Sequence, residues 1–284
     1  MSIRQIIRRY VPMPTLLKGK LFLTYAPLDL WDTLCGKTDP LIPGRRKIFI
    51  GGPEYRKIGD EFFELFRRIA VVSPQDRILD IGCGIGRMAR PFVKFLHPTR
   101  GRYDGFDIDR DGIRWCLVHY IDHPQFRFQW ANIYNKFYNP RGSIQPDAFA
   151  FPYPDGSFDF AFATSVFTHM SPRSTSHYLK EVSRVLAPGG RAMLTAFLWN
   201  EESKSLVAQG KAIFPFHDLG DLIVKDPLIP EEAIAIRQED WEKWLHDAGL
   251  EMDGPVHWGN WCGRARHTSG QDIVLVRKVR GATV

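Results

Sequence analysis

The sequence predicts an α/β fold, a mainly parallel sheet with helices on both faces. From Arg77 onward, short apolar runs alternate with helical patterns, as in successive β–α units. A glycine-rich turn directly follows the first of these runs, and an acidic residue ends the second. A chain of 284 residues, 44% hydrophobic and 25% charged, can form one such domain with insertions.

The predicted elements follow in chain order. Continuous or alternating apolar residues predict strands over 77–81, 103–107, 126–131, 158–164 and 190–197. Helical spacing predicts helices over 86–97, 111–121 and 172–186 between the strands, and over 237–249 after them. A further helical pattern precedes the first strand, at Phe62, Phe63, Leu65, Phe66 and Ile69. Apolar segments near 251–258 and 272–278 close the chain.

We expect two regions, 1–55 and 56–284, the second with insertions near 132–157 and 198–231. Residues 1–55 are punctuated by prolines and predicted to be irregular. Only Ile3, Ile6, Ile7 and Tyr10 follow helical spacing there, beside three arginines. This basic extension is interpreted as a docked helix or a lid, and the alternative is weak contact with a membrane surface.

The net charge of +6 lies in the N-terminal part. Residues 1–70 contain 13 Lys and Arg against 7 Asp and Glu, whereas the remaining residues contain 25 of each kind. A nucleic acid is therefore disfavoured as a partner, since binders of nucleic acids present a broader basic face. The sequence predicts no oligomeric state.

The cysteines and the hydropathy predict a soluble, cytoplasmic protein. No apolar run approaches the roughly 20 residues of a membrane span, and no secretory signal is evident. No metal site is expected, because neither the cysteines nor the nine histidines have the spacing of metal ligands. The cysteines are widely spaced and are expected to be free thiols in a reducing compartment: Cys35, Cys83, Cys116 and Cys262.

The glycine turn is the strongest indication of a ligand site. Gly82, Gly84 and Gly86 follow the first strand, where the backbone must turn sharply and approach a ligand closely. The spacing departs from the dinucleotide fingerprint, because the third glycine comes one residue early. Asp80 would repel a pyrophosphate but suits a cationic ligand, and Asp107, 21 residues after Gly86, is placed to accept bonds from ribose hydroxyls.

Segment 80–87 (DIGCGIGR) resembles motif I of the class I S-adenosylmethionine-dependent methyltransferases. Segments 105–108 (GFDI), 151–159 (FPYPDGSFD), 165–170 (SVFTHM) and 181–190 (EVSRVLAPGG) are similar to later stretches of that family, in the same order. The resemblance covers roughly residues 56–197. It implies a Rossmann-like seven-stranded sheet of order 3-2-1-4-5-7-6, with the last-formed strand antiparallel and S-adenosylmethionine as cofactor.

The cofactor site implied by this resemblance comprises residues around the ends of the first three strands. Family members often hold the adenine amino group with an aspartate after the third strand. Here Asn132 stands at that position, with Asp147 as a rival displaced by the insertion, while Ala131 would donate through its backbone. The full predicted set is Asp80, Gly82, Cys83, Gly84, Gly86, Asp107, Ile108, Ala131 and Asn132.

His169 is the candidate catalytic base. It follows the fourth strand, where ligands gather at the carboxyl ends, and imidazole titrates near neutrality. Some sugar and small-molecule O-methyltransferases of the resembled family carry a histidine in this stretch. The alternative is a capping or packing role.

Aromatic and hydrogen-bonding residues of the variable segments are the candidate acceptor site, although each tryptophan could equally be core. They are Tyr134, Tyr138 and Asn139 in the long loop, and His257, Trp258, Trp261 and Arg264 near the end of the chain.

We therefore expect methyl transfer to a small-molecule acceptor, foremost O-methylation of a sugar or another polyhydroxylated or glycosidic substrate. RNA or protein methylation is the alternative reaction. A non-catalytic binding module is disfavoured by the intact glycine turn, and a nicotinamide-dependent oxidoreductase by the glycine spacing.

Overall fold

The computed structural model describes residues 13–48 and 54–279. Its main sheet has seven strands in the order β3-β2-β1-β4-β5-β11-β10. Six of them run in the same direction, and β11 is antiparallel to both of its neighbours. The predicted α/β class and strand order are confirmed. The strands of the described chain are β1 Arg77–Ile81, β2 Arg102–Asp107, β3 Phe126–Trp130, β4 Phe158–Ala163, β5 Leu186–Ala196, β6 Leu198–Trp199, β7 His217–Asp218, β8 Ile223–Val224, β9 Ile234–Arg237, β10 Leu250–Met252 and β11 Asp272–Lys278.

Helices cover both faces of the main sheet, so its central strands are buried on both sides. Ile78 of β1 packs with a phenylalanine-rich cluster that includes Phe66 and Phe162, whereas Leu79 packs on the other face with Val182 and Trp241. This is the period-2 alternation of a strand. The described helices are α1 Met13–Leu34, α2 Tyr55–Arg68, α3 Ala89–Phe92, α4 Arg110–His119, α5 Pro172–Val185, α6 Glu201–Ala208 and α7 Gln238–Asp247.

Two predicted boundaries are wrong for identifiable reasons. The helix predicted over 86–97 is only the single turn α3, because Pro91 lies within it and has no amide hydrogen to donate to the carbonyl of Arg87, which interrupts the helical hydrogen bonds. Strand β5 begins at Leu186 rather than at residue 190. Its register against β4 shifts between Phe158 and Phe160, so an irregularity in the pairing accommodates the Pro-Gly-Gly segment within the strand.

The N-terminal part contains a long helix where the sequence predicted irregular chain. Helix α1 tolerates Pro14 because this residue lies in its first turn, and Pro27 is the proline in its interior. The carboxylate of Asp29 fixes α1 to the following segment by accepting the backbone N–H groups of Arg45 at 2.8 Å and Arg46 at 3.1 Å. The predicted helical spacing at residues 3–10 lies outside the described residues.

The two segments predicted as insertions contain regular structure and lie after strands of the main sheet. Residues 198–237 form a second, four-stranded sheet in the order β6-β9-β8-β7, which packs on the aromatic rings of Phe197, Phe216 and Trp261. Isolated bridges such as that between Ile133 and Ile144 hold the 132–157 loop. Among the described helices, none combines the length and the apolar character needed to cross a membrane.

Candidate functional site

Two adjoining cavities open where β1, β2 and β4 end. The smaller, about 150 Å³, lies among the residues that follow these strands, and the larger, about 980 Å³, lies between the glycine turn, α2 and the segment before β11. Both cavities are bordered by the same five residues: Gly82, Gly84, Tyr138, Thr164 and Ser165. A ligand in the smaller cavity would therefore meet a ligand in the larger one at this shared wall.

The glycine turn brings bare backbone to this wall. Gly82 has a φ of +79°, and a Cβ there would lie 2.5 Å from Cγ2 of Val166. Gly84 also has positive φ, and a Cβ there would meet no atom within 4 Å. Cys83, predicted with the glycines, borders the larger cavity. Gly86 borders neither cavity and packs against Cys116 and Tyr120, so its small size serves helix packing rather than ligand contact.

Asp107 joins the end of β2 to the glycine turn and borders the smaller cavity. Its Oδ2 accepts the N–H of Gly84 at 2.7 Å, and its Oδ1 accepts that of Asp109 at 2.6 Å. Burial raises the pKa of Asp107 to about 6, and the backbone donors partly offset this shift. Ile108 and Ile133 add apolar wall beside this carboxylate. An acid between apolar walls suits a nucleoside, whose ribose hydroxyls donate to a carboxylate and whose base packs on aliphatic groups.

Asp80 lies on the opposite face of the sheet, not on a cavity wall. Its Oδ2 accepts the hydroxyl of Tyr103, its Oδ1 has no hydrogen-bond partner among the described residues, and burial raises its pKa to about 8. Asp80 precedes Ile81, which borders the smaller cavity, so strand alternation turns the carboxylate away. The structure therefore does not place the Asp80 carboxylate in direct contact with either cavity, as a contact with a cationic ligand would require.

The residues predicted to hold an adenine are engaged elsewhere. The N–H of Ala131 donates to the carbonyl of Asp107 at 2.9 Å and is not available to a base. Asn132 donates through Nδ2 to Ser143 at 3.0 Å, which secures the loop. Asp147 is paired with Arg173. The wall that these residues were expected to supply comes instead from Ile133, Tyr134, Asn135 and Pro146.

His169 reaches the smaller cavity as part of a hydrogen-bonded chain. Its Nδ1 lies 2.9 Å from the carbonyl oxygen of Glu231, which can only accept, so Nδ1 carries the proton. Nε2 then accepts from the hydroxyl of Tyr138 at 3.3 Å. Burial lowers the pKa of His169, and the carbonyls of Glu231 and Glu232 partly oppose this. The imidazole is consequently neutral at pH 7 and has a basic nitrogen directed at Tyr138.

The structure does not bring the four predicted acceptor residues of the C-terminal part to either cavity. Trp261 is fully buried and donates to Asp272 at 2.7 Å, while Arg264 pairs with the same carboxylate at 3.1 Å. The Arg264 guanidinium lies over the ring of Trp258, with its Cζ 4.4 Å from the ring centre. His257 pairs through its backbone with Ile273. Trp261 and Arg264 thus clamp Asp272, a role that aromatic and donor composition does not distinguish from substrate binding.

Sequence reasoning missed Ser165 and its partners. Ser165 has a φ of +62°, unusual for a residue with a side chain. Its N–H donates to Oγ1 of Thr195 at 2.8 Å, and its Oγ accepts from Gln271 at 2.9 Å. Ser165 and Gln271 both border the larger cavity. The bonds join segments 30 and 106 residues apart, so no local pattern could have revealed them.

Comparison with known proteins gives a family model and several relatives. A model described as a methyltransferase domain matches residues 79–194. The chain is 28% identical over 66% of its length to a sterol 24-C-methyltransferase of Gibberella zeae, covering 45% of that protein. It is 27% identical over 63% of its length to the 27-O-demethylrifamycin SV methyltransferase of Amycolatopsis mediterranei, covering 55% of it. The chain thus spans about half the length of these relatives.

Solved structures of low identity share the fold. A methyltransferase from Aquifex aeolicus matches with a TM-score of 0.51 and 16% identity, covering 85% of this chain and all of that one. One from Methanosarcina mazei matches with a TM-score of 0.50 and 22% identity, covering 74% of this chain and 95% of that one. The domain match spans the glycine turn, Asp107 and His169, and the sheet has the order expected for this fold. Residues 79–194 therefore match a methyltransferase domain, and the sheet around them has the fold of the class I S-adenosylmethionine-dependent methyltransferases.

Proposed function

We propose that this protein transfers the methyl group of S-adenosylmethionine to a hydroxyl oxygen of a small amphipathic acceptor. The observation that carries the proposal is the Glu231–His169–Tyr138 chain, because Tyr138 borders both cavities. The cofactor would occupy the smaller cavity and the adjoining glycine turn, and the acceptor would occupy the larger cavity. When bound, S-adenosylmethionine supplies an electrophilic methyl group on its sulfonium sulfur.

The walls of the smaller cavity fit the cofactor's nucleoside. Asp107 would accept the ribose hydroxyls while it holds Gly84 at 2.7 Å, so one carboxylate positions both ligand and turn. Ile108 and Ile133 would pack against the adenine. The absence of side chains at Gly82 and Gly84 lets the remaining part of the cofactor reach the shared wall.

Proton removal would run through Tyr138 to His169. During methyl transfer, the proton of the acceptor hydroxyl would pass to the Tyr138 oxygen. The hydroxyl proton of Tyr138 passes in turn to Nε2 of His169. Burial raises the pKa of Tyr138, so this residue acts as a relay rather than as a tyrosinate base. The resulting imidazolium is stabilised by its Nδ1–H bond to the Glu231 carbonyl.

The larger cavity favours an acceptor with an apolar body. Its wall includes Ile58, Phe62, Leu65, Ile85 and Met88, together with hydroxyl and amide groups at Thr268, Ser269 and Gln271. The relatives named as acting on a sterol, on a rifamycin and, in Mycolicibacterium smegmatis, on a fatty acid support such an acceptor. O-methylation of a sugar or another polyhydroxylated compound stays a prediction, although four residues invoked for it lie away from the cavities.

Methyl-transfer assays with labelled cofactor and a panel of hydroxylated amphiphiles and sugars would test the proposal. The His169→Ala and Tyr138→Phe variants should each lower turnover, by about 10²–10⁴-fold for His169→Ala. The affinity for S-adenosylhomocysteine should change less than about fivefold in both. His177 is a matched control, since its Nε2 also bonds to a carbonyl, that of Phe149, at 2.9 Å, and it borders neither cavity.

The pH–rate profile should show an ascending limb below the usual histidine pKa of roughly 6.5, because burial lowers the pKa of His169. Two results would count against the proposed base. One is a loss smaller than about fivefold in His169→Ala, and the other is an unchanged limb in that variant. Methylation of RNA or protein, with no small molecule accepted, would instead support the alternative substrate class. Cofactor binding without any transfer would support a binding module.

A further inference from the structure

Helix α1 carries an apolar stripe that faces away from the rest of the described chain, residues 13–48 and 54–279. Leu23, Leu30 and Leu34 are 81, 59 and 75% exposed, and their spacing of seven and four residues places them on one side of the helix. Trp31 stands beside them and is 63% exposed. A contiguous exposed apolar surface of this kind marks a binding site for another partner.

Internal contacts fix the direction in which this stripe faces. Asp29, on a different side of α1, is buried and accepts the N–H groups of Arg45 and Arg46. Near the other end of α1, Lys18 bonds to Asp111 at 2.8 Å and to Asp109 at 3.4 Å. Helix α1 is therefore held at two points along its inner side, and within the described residues the leucine stripe lies on the outer side.

The charges around the stripe are sorted by sign. In residues 18–48, whose side chains the structure describes, every carboxylate accepts a hydrogen bond from within the protein. Asp29 does so as described above, Asp32 accepts from the Arg45 guanidinium at 2.6 Å, and Asp39 accepts from the N–H of Leu41 at 2.9 Å. The exposed charges are cations, Lys20, Lys37 and Lys47. Exposed leucines and a tryptophan flanked by lysines are the composition of a helix that lies on an anionic lipid surface.

We propose that α1 docks on anionic membrane surfaces through Leu23, Leu30, Trp31 and Leu34, with Lys20 and Lys37 facing the lipid headgroups. The position of α1 also connects this surface to the acceptor cavity. A groove of about 580 Å³ borders Phe22 of α1 and shares Lys47, Ile85 and Asp109 with the larger cavity. Resting on the proposed function, this connection would let an amphipathic acceptor pass from the lipid surface to the site.

Co-sedimentation of the full chain with vesicles would test the docking. Vesicles of phosphatidylcholine mixed with phosphatidylglycerol should bind the protein, and added salt or pure phosphatidylcholine should weaken binding strongly. The Leu23→Gln/Leu30→Gln/Leu34→Gln variant should bind at least about tenfold more weakly. A matched control is Ile213→Gln/Leu219→Gln/Leu228→Gln, which removes three exposed apolar side chains from the second sheet's region and should bind like the wild type.

Affinity for S-adenosylhomocysteine, measured without vesicles, should be unchanged in both triple variants. This control shows that each variant is folded. It also makes a failure of membrane docking distinguishable from a failure of the proposed methyl transfer. The docking proposal is overturned by any of three results. These are no binding to the anionic vesicles, an equal loss of binding in both triple variants, or a concentration-dependent dimer of the full chain that the α1 substitutions abolish. The last result would identify a second copy of the chain as the partner of α1.

Discussion

Replacement of Asp107 by alanine tests the central feature of the candidate site, because one carboxylate is assigned two tasks. In the free protein Asp107 accepts the N–H groups of Gly84 at 2.7 Å and Asp109 at 2.6 Å. Loss of both acceptors leaves two donors without partners, each at a cost of about 1–3 kcal/mol when buried. We expect a fall of about 2–4 kcal/mol in the free energy of unfolding, since the cavity admits water to part of this site.

Cofactor binding should weaken as well. A pair of charge-assisted hydrogen bonds to ribose contributes about 2–3 kcal/mol, which corresponds to roughly 30- to 150-fold in the dissociation constant. Titration calorimetry with S-adenosylhomocysteine measures this change, and urea unfolding measures the stability. Asp76 provides a control, because it accepts the N–H of Ser73 at 2.8 Å and borders neither cavity. Asp76→Ala should lose stability without losing affinity.

The titration of Asp107 adds a dependence on pH. Burial raises its pKa to about 6 in the free protein, whereas donated ribose hydroxyls favour the ionised form and lower the pKa in the complex. Binding therefore releases protons below about pH 6, so affinity should rise between pH 5 and 7 and then level off. Asp107→Asn should lack this rise. An unchanged dissociation constant in a folded Asp107→Ala variant would remove this residue from the cofactor site.

Three further substitutions probe the packing around the site. Burial raises the pKa of Asp80 to about 8, so the free energy of unfolding of the wild type should fall as the pH rises from about 4 to 8. The Asp80→Asn variant should lack this fall. Urea unfolding at several pH values would show this, and parallel curves would contradict it. Gly82→Ala should cost at least about 2 kcal/mol, as a Cβ would lie 2.5 Å from Val166, and Val166→Ala should restore part of the loss. Arg264→Leu should cost about 3 kcal/mol by leaving the Asp272 carboxylate without its cation, while cofactor affinity stays unchanged; weakened binding would return Arg264 to the site.

Much of the fold could be predicted because its determinants are local. Strand β11 was expected over 272–278 and occupies those residues, since a buried strand requires only a short apolar run. The positions of Gly82 and Asp107 followed from the strands that precede them. The orientation of Asp80 was also available from the sequence, because Asp80 alternates with Leu79 and Ile81, both of which face the other side.

The residues that were misassigned depend on contacts distant in sequence. Trp261 and Arg264 have the composition of a sugar-binding segment, and only the fold shows that the carboxylate they meet belongs to Asp272. The sequence does not predict helix α1, because a proline such as Pro27 usually indicates a break, whereas Pro14 is compatible with a first turn. The position of Tyr138 beside His169 depends on the path of the 132–157 loop, which hydrophobic periodicity does not specify.

The clamp on Asp272 has a consequence for attempts to change acceptor preference by exchanging segments between relatives. The second sheet and the segment before β11 form one unit, since Arg264 also pairs with Glu202 at 2.8 Å and Trp261 packs on Phe216. A chimera with boundaries at 198 and 237 alone would separate these partners and bury mismatched charge. Crossover points placed before β6 and after Asp272 would transfer the whole unit to the chimera. The transferred segment would include residues 268–271, which line the larger cavity.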